Sequence, residues 1–158
     1  MATTITAATL TVTLTEAITL NGQDKGAVNT LTVASVTEVS QRIVEIPTSE
    51  IIILAFQATT PGAGTFDEAD PRYIRITNKD DTNFVQLTFR DENGTEFAVK
   101  LDAGKSFIWG CDNSGGVVDT MIAAGSALTV PSTFADLVDI TAVADTNPCD
   151  VEYFVAGV

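Results

Sequence analysis

VQLTFRDENGTEFAVKL, residues 85–101, alternates apolar and polar residues on both sides of Asn93-Gly94. A period of two predicts a β-strand on each side of a turn. A two-residue turn at Asn93-Gly94 would place Leu87 opposite Lys100, and an apolar face would then meet a charged one. A three-residue loop over 92–94 removes that conflict and places glycine where a left-handed residue is needed, so we predict a G1-bulge hairpin with Gly94 at positive φ. The predicted pairs are Phe89 with Phe97, Leu87 with Val99, Val85 with Leu101, Arg90 with Glu96 and Gln86 with Lys100.

The strand before this hairpin shows the same alternation, with Ile74 and Ile76 on one face of Tyr73–Thr77. Pairing Ile74 with Leu87 and Ile76 with Val85 leaves Asp80-Asp81 at the turn. This pairing predicts a three-stranded meander from Tyr73 to Leu101 with one apolar face, which a second sheet must cover. We expect the N-terminal strands to supply that sheet, since Leu10, Val12 and Leu14 alternate with threonines.

Further short apolar stretches are predicted to be strands separated by turns. The Ile51–Leu54 stretch is apolar on both faces and is predicted to be a strand buried on both sides. Thr30-Leu31-Thr32-Val33 echoes Thr9-Leu10-Thr11-Val12, although four residues are too few to define a repeat. We predict an all-β fold, an antiparallel β-sandwich or jelly-roll-like barrel with at most short helical turns. It forms a single domain over residues 1–158, with a candidate extended arm at 1–8. The other predicted strands are 40–46, 107–109, 117–122, 126–130, 138–143 and 151–155, and Ser132 is predicted to cap one helical turn over 132–137.

Charge and composition exclude several functions. The 158 residues include 21 acids, 8 bases and no histidine, which gives a net charge of −13. Nucleic acids and anionic membranes should repel such a chain. The lack of histidine excludes Ser-His-Asp and Cys-His catalysis and histidine-ligated zinc. No apolar run approaches the ~20 residues of a membrane helix, and no basic segment indicates a signal peptide.

Loop acids and cysteines are the remaining candidates for chemistry. Calcium ligands among the acids would need six to eight oxygens, but no D-x-D-x-D-G run is present, and nothing selects a glycosidase-like carboxylate pair. We therefore interpret these acids as solvated turn residues and expect no metal, cofactor or catalytic residue, and no enzyme. Cys111 and Cys149 either pair across 38 residues or are two separate buried thiols, and we favour the thiols. Asn93-Gly94-Thr95 matches a glycosylation sequon, but its turn role explains it without sugar. The loop acids are Asp67, Glu68, Asp70, Asp80 and Asp81.

Aromatic residues offer one further candidate site. Trp109 with Tyr73, Tyr153 and Phe107 would form a sugar-binding platform if they were exposed. Aromatic residues at strand positions more often pack in the core. Exposure of Trp109 or Tyr73 distinguishes the two interpretations.

Two stretches carry a family resemblance: YIRITNKDDTNFV at 73–85 and FAVKLDAGKSFIW at 97–109. The chain resembles, from about Thr11 to its C-terminus, small structural proteins of tailed bacteriophages, especially marine and cyanobacterial phages. The resemblance implies a capsid decoration or cement protein, a β-rich dimer or trimer that bridges neighbouring subunits of the major capsid protein. It supplies no site residues, and it leaves head, neck, tail and fibre locations open.

The acidic charge favours a position on the outer surface of a virion, because packaged DNA would repel this chain. A non-enzymatic virion component is therefore our first expectation. An extracellular carbohydrate-binding module is the alternative from another class.

Overall fold

Two β-sheets form the body of the protein and pack face to face. The structure, a computed structural model, describes residues 4–58, 62, 64–111, 114–122 and 132–158. One sheet has the strand order β10-β9-β12-β6-β7 and the other has the order β11-β8-β13-β5. All pairings are antiparallel except β6 with β7. The predicted all-β fold is therefore confirmed, and of the two predicted architectures the packing of the sheets corresponds to the β-sandwich.

Thirteen strands are defined in the described part of the chain. They are β1 (Ala8–Glu16), β2 (Thr19–Leu20), β3 (Gln23–Asp24), β4 (Ala27–Val36), β5 (Glu38–Ile46), β6 (Ile51–Gln57), β7 (Phe66–Asp67), β8 (Pro71–Asn78), β9 (Val85–Asp91), β10 (Glu96–Leu101), β11 (Ser106–Gly110), β12 (Leu137–Ala144) and β13 (Cys149–Gly157).

The core lies between the two sheets and is formed by alternate residues of their central strands. Leu87 and Phe89 of β9 are fully buried, as are Ile74 and Ile76 of β8 in the opposite sheet. Burial of this kind contributes about 1.5–3 kcal/mol for each large side chain. The same cluster includes Leu54, Ile140, Val151 and Val155.

The hairpin predicted over 85–101 is confirmed in every pair. Phe97 lies opposite Phe89, Val99 opposite Leu87 and Leu101 opposite Val85. Gly94 has a φ of 76°, as the three-residue loop requires. Asp91 accepts hydrogen bonds from the backbone N–H groups of Asn93 and Thr95, so its side chain stabilises the turn.

The predicted meander is wrong, because β8 does not pair with β9. β8 lies in the other sheet between β11 and β13. Residues 79–84 carry the chain from one sheet to the other, and Asp80 Oδ1 fixes this crossing by accepting from the N–H groups of Thr82 and Asn83. The faces carrying Ile74 and Leu87 therefore pack against each other across the core instead of sharing one side of a sheet.

The N-terminal strands do not supply the covering sheet, which also differs from our expectation. β1 and β4 pair only with each other in the described residues, and they form a two-stranded sheet of their own. The two similar segments 9–12 and 30–33 lie on paired strands, since Thr32 faces Thr11 and Leu31 faces Val12. Of the predicted arm at 1–8, residues 1–3 lie outside the described residues, 4–7 are exposed outside any strand, and Ala8 begins β1.

Three smaller predictions also need correction. Residues 132–137 form no helical turn, because Ala135 bridges Met121 and Leu137 begins β12. Residues 117–122 are mostly turns with that single bridge, and the predicted strand at 126–130 lies outside the described residues. β6 is not buried on both faces, since Ile52 is 59% exposed. The strands predicted at 40–46, 107–109, 138–143 and 151–155 lie within β5, β11, β12 and β13.

The two cysteines are free and buried, as predicted. Burial raises the pKa of the Cys111 thiol to about 12 and also raises the pKa of Cys149. Both thiols therefore remain protonated at neutral pH, and neither is a candidate nucleophile. In the described residues there is no helix long and apolar enough to cross a membrane.

Candidate interaction surface

A long hairpin, residues 8–36, leaves the sandwich and is the most distinctive surface of the protein. Its base packs on the outer face of the β11-β8-β13-β5 sheet, where Val33 and Val36 contact Tyr73 and Ala156. An alanine Cβ at Gly110 would lie 4.0 Å from Leu31 Cδ2, so the hairpin also reaches β11. From here on, the arm means this hairpin, residues 8–36, and not the extended arm predicted at 1–8. Its base is held by apolar contacts with the body.

The outer half of the arm projects from the body. Leu14 is 51% exposed, Ile18 54%, Leu20 57% and Val28 66%. Asn21 and Gly22 both have positive φ, as a type I′ turn at the tip of a hairpin requires. A two-stranded hairpin without a covering layer is marginally stable in water. The outer half therefore lacks the packing that normally stabilises a sheet.

The two faces of the arm differ in chemistry. One face carries Leu10, Val12 and Leu14 opposite Val33, Leu31 and Asn29. The other face consists of threonines except for Val28, with Thr11 opposite Thr32 and Thr13 opposite Thr30. Neither face carries a charged residue in these paired positions. The paired stretches 10–15 and 28–33 of the arm thus form an uncharged surface with an apolar side and a hydroxyl side.

Charge separates the arm from the body. Residues 1–36 contain only Glu16, Asp24 and Lys25 as charged residues, although the whole chain carries −13. Nearly all of the net negative charge therefore lies in the sandwich. Protein partners of like charge are repelled by the body and far less by the arm.

An aromatic groove of about 380 Å³ opens between β10 and β11, at one edge of the sandwich. Phe97, Phe107 and Trp109 line it with Met121 and Ile122. The Phe97 ring stacks on buried Phe89 with centroids 4.6 Å apart, and the Trp109 ring lies 5.5 Å from Phe89. The groove is therefore the exposed margin of the core cluster.

The four aromatic residues of the predicted sugar platform do not lie together on one exposed surface. Tyr73 is buried beneath the arm, with its ring 6.1 Å from that of Phe154, and Tyr153 is buried in the core. Trp109 and Phe107 are half-buried and pack against the core. Only the parts of these two side chains that line the groove are accessible to a ligand.

The loop acids are held by local backbone contacts. Asp67 Oδ1 accepts from the Ala69 N–H group, and Asp80 Oδ1 accepts from Thr82 and Asn83. These hydrogen bonds hold the pKa of Asp80 below its usual value. Within the described ranges, no three acidic or cysteine side chains are placed to hold a metal ion.

Two acids of the 67–70 loop have raised pKa values for a different reason. Burial raises the pKa of Glu68, and neighbouring Asp136, Asp67 and Glu92 raise it further. Burial and Asp67 raise the pKa of Asp70. Burial also raises the pKa of Asp139 on β12, although Arg90 lies 3.7 Å from its Oδ1 and opposes that shift. These three carboxylates are more costly to ionise in the folded state than in the unfolded chain.

Lowering the pH from 7 towards the ordinary pKa values of aspartate and glutamate is expected to raise Tm. Because the pKa values of Glu68, Asp70 and Asp139 are raised on folding, the folded state binds more protons than the unfolded state in this window. Stability then increases as the pH falls. The acids with lowered pKa values, Glu50, Asp80 and Glu152, reverse the trend only near and below their ordinary values.

Calorimetry at constant ionic strength measures this pH effect. Asp139→Asn should reduce the rise in Tm, whereas Asp102→Asn, at an exposed ion pair with Lys100, should leave it unchanged. A Tm that falls between pH 7 and pH 5 would contradict the assignment of raised pKa values.

No family model, curated protein or solved structure matches this chain. Sequence reasoning did not identify the arm as a site. The signal available in the sequence was the absence of charge from residues 4–15 and 27–36.

Proposed function

We propose that this protein is a non-enzymatic structural component of a virion, a decoration protein that binds the outer capsid shell and bridges neighbouring capsid subunits. One observation carries the proposal: a neutral arm with exposed apolar residues projects from a strongly acidic sandwich. An arm of this kind reaches across a boundary between subunits and buries its exposed side chains there. The acidic body remains in solvent.

The charge distribution supports an outward position. A body that carries almost all of a net charge of −13 is repelled by packaged DNA. When one subunit of an oligomer is bound, the other subunits are held close to their own sites at a high effective concentration. Several weak contacts can therefore give tight overall binding, and no single contact needs high affinity. A homodimer or homotrimer bound to major capsid protein, or to another virion protein, meets this requirement.

Purified particles of the virus that encodes the chain provide the test. We expect mass spectrometry to find the protein in the particles, and electron cryomicroscopy to place it on the outer shell at a fixed copy number. Its absence from particles would overturn the proposal. Density found only at the neck, tail or fibres would contradict a capsid decoration role and would support the alternative of a neck, tail or fibre component.

A shortened arm tests the observation on which the proposal depends. Replacing residues 13–30 by Asn-Gly joins Val12 to Leu31, which face each other, and keeps the base of the arm on the body. We expect this variant to fold and to be lost from particles during washing. The control, Lys100→Gln with Asp102→Asn, removes an exposed ion pair on the body and should be retained. Retention of the shortened variant would contradict a binding role for the arm.

The aromatic groove favours the carbohydrate-binding alternative. Trp109 is the only tryptophan of the chain and lines this groove, so its fluorescence reports directly on a bound ligand. Titration with a panel of oligosaccharides should change the Trp109 emission if the alternative holds. An unchanged emission at millimolar sugar would contradict it.

A further inference from the structure

We propose that two copies of this chain associate in solution through β1, whose free edge pairs with β1 of the second copy about a two-fold axis at Val12. The product is a continuous four-stranded sheet of order β4-β1-β1-β4. This inference names the interface of the homo-oligomer that the proposed function includes, and it does not depend on the virion role.

The free edge of β1 is the first observation. In the described residues, β1 pairs with β4 on one side and with no strand on the other. Natural edge strands are usually protected by charges, proline or bulges, because their unpaired N–H and C=O groups pair with other chains. The β1–β4 pairing has a register shift between Ala8 and Leu10, and beyond it residues 11–15 pair regularly and contain no charge, proline or glycine. By contrast, the edge strands β5 and β10 carry Glu38, Arg42, Glu45, Glu96 and Lys100.

The sequence of β1 is the second observation, because residues 9–15, TLTVTLT, read the same in both directions. Antiparallel pairing of two identical strands about Val12 places Val12 opposite Val12, and Leu10 opposite Leu14 of the second copy. Threonines then face threonines on the other side. Every apolar side chain therefore meets an apolar side chain, as a two-fold interface between identical surfaces requires.

Charge favours this partner over others. Glu16, the nearest charged residue, lies opposite Ala8 of the second copy in this register, so no like charges face each other. Two bodies of the same negative charge repel, whereas the arms are almost neutral. The arm is therefore the surface at which two copies approach with least repulsion.

Apolar side chains on β1 add to the surface that the two copies would share. Leu14 is 51% exposed, and Leu10 and Val12 are only partly buried against the body. In the joined sheet, Leu10, Val12 and Leu14 of one copy would lie beside Leu14, Val12 and Leu10 of the other.

The first test uses charge pairs on the threonine face. Thr11 and Thr13 are exposed, and each faces the other across the proposed axis. In T11E/T13E, two glutamate–glutamate pairs meet across the interface, and we expect the dimer dissociation constant to rise about a hundredfold. In T11E/T13K, each glutamate faces a lysine, and we expect the dimer to be retained. T30E/T32E adds two negative charges to the same face but on β4, and should also remain dimeric.

Light scattering at 10 µM measures the result. We expect the unchanged protein, T11E/T13K and T30E/T32E to have twice the 16.6 kDa mass of the chain, and T11E/T13E to have the mass of one chain. Circular dichroism verifies that every variant is folded. A monomeric or trimeric unchanged protein, a dimeric T11E/T13E, or equal dissociation of both double variants at residues 11 and 13 would overturn the proposal.

A second test fixes the register. Cα atoms of directly opposed antiparallel residues lie about 4.5–5.5 Å apart, which a disulfide spans. Val12→Cys should therefore form a covalent dimer under mild oxidation. Leu14→Cys should not, because its two copies would lie roughly 13 Å apart along the strands. Both native cysteines are buried and should not contribute. Equal cross-linking of the two variants, or none in either, would contradict an axis at Val12.

Discussion

Phe89→Ala is expected to destabilise the protein by about 3–5 kcal/mol. Phe89 is fully buried on β9, and its ring lies 4.6 Å from Phe97, 4.9 Å from Phe107 and 5.5 Å from Trp109, measured between centroids. Removal of the ring leaves a cavity where both sheets meet. Urea denaturation followed through the fluorescence of Trp109 measures the change.

Phe97→Ala is the matched control for this prediction. It removes the phenyl ring that stacks on Phe89. Because Phe97 is 43% exposed, solvent fills the space that its ring leaves. We expect a loss of about 1 kcal/mol. Equal losses for the two variants would show that the cluster is not organised around Phe89.

Asn78→Leu is expected to destabilise the protein by about 3 kcal/mol, the second large effect. Asn78 is fully buried at the end of β8, and its Nδ2 donates to the carbonyl oxygens of Asn83 and Leu101. Its Oδ1 accepts from the Asp80 N–H group. Since Leu101 belongs to the opposite sheet, this side chain joins the two sheets. Leucine keeps the branched shape of asparagine but is larger, and it leaves all three partners unsatisfied.

Two further variants separate hydrogen bonding from volume at this position. Asn78→Asp has nearly the same shape but loses both donors at pH 7, so its loss should be similar and should decrease at lower pH as the new carboxyl group protonates. Asn93→Leu makes the same change at an exposed turn position and should cost less than about 0.5 kcal/mol. An Asn78→Leu variant as stable as Asn93→Leu would contradict a role in joining the sheets.

Local sequence was sufficient to predict the 85–101 hairpin. Alternation defined which residues share a face, and Gly94 defined the loop length, so only one register kept Phe89 opposite Phe97. The same information could not assign β8 to a sheet. Alternation shows that Ile74 and Ile76 share a face but does not show which strands lie beside them, and β13, its neighbour, lies some eighty residues away.

The arm illustrates the same limit for the candidate site. Leu10, Val12 and Leu14 alternate as buried strand residues do, yet Leu14 projects into solvent. Whether such a face is covered depends on distant residues, here Tyr73 and Ala156, which reach only the base of the arm. Alternation therefore predicted the strand correctly but not its place in the molecule.

Only Thr37 separates β4 of the arm from β5 of the sandwich, and its N–H group donates to the Gly157 carbonyl oxygen. The two parts therefore have no flexible tether between them. Tension applied at the tip of the arm passes directly into β5, where nine residue pairs with β13 resist sliding. Such an attachment transmits mechanical force to the body with little slack, a property that single-molecule pulling from the arm would measure.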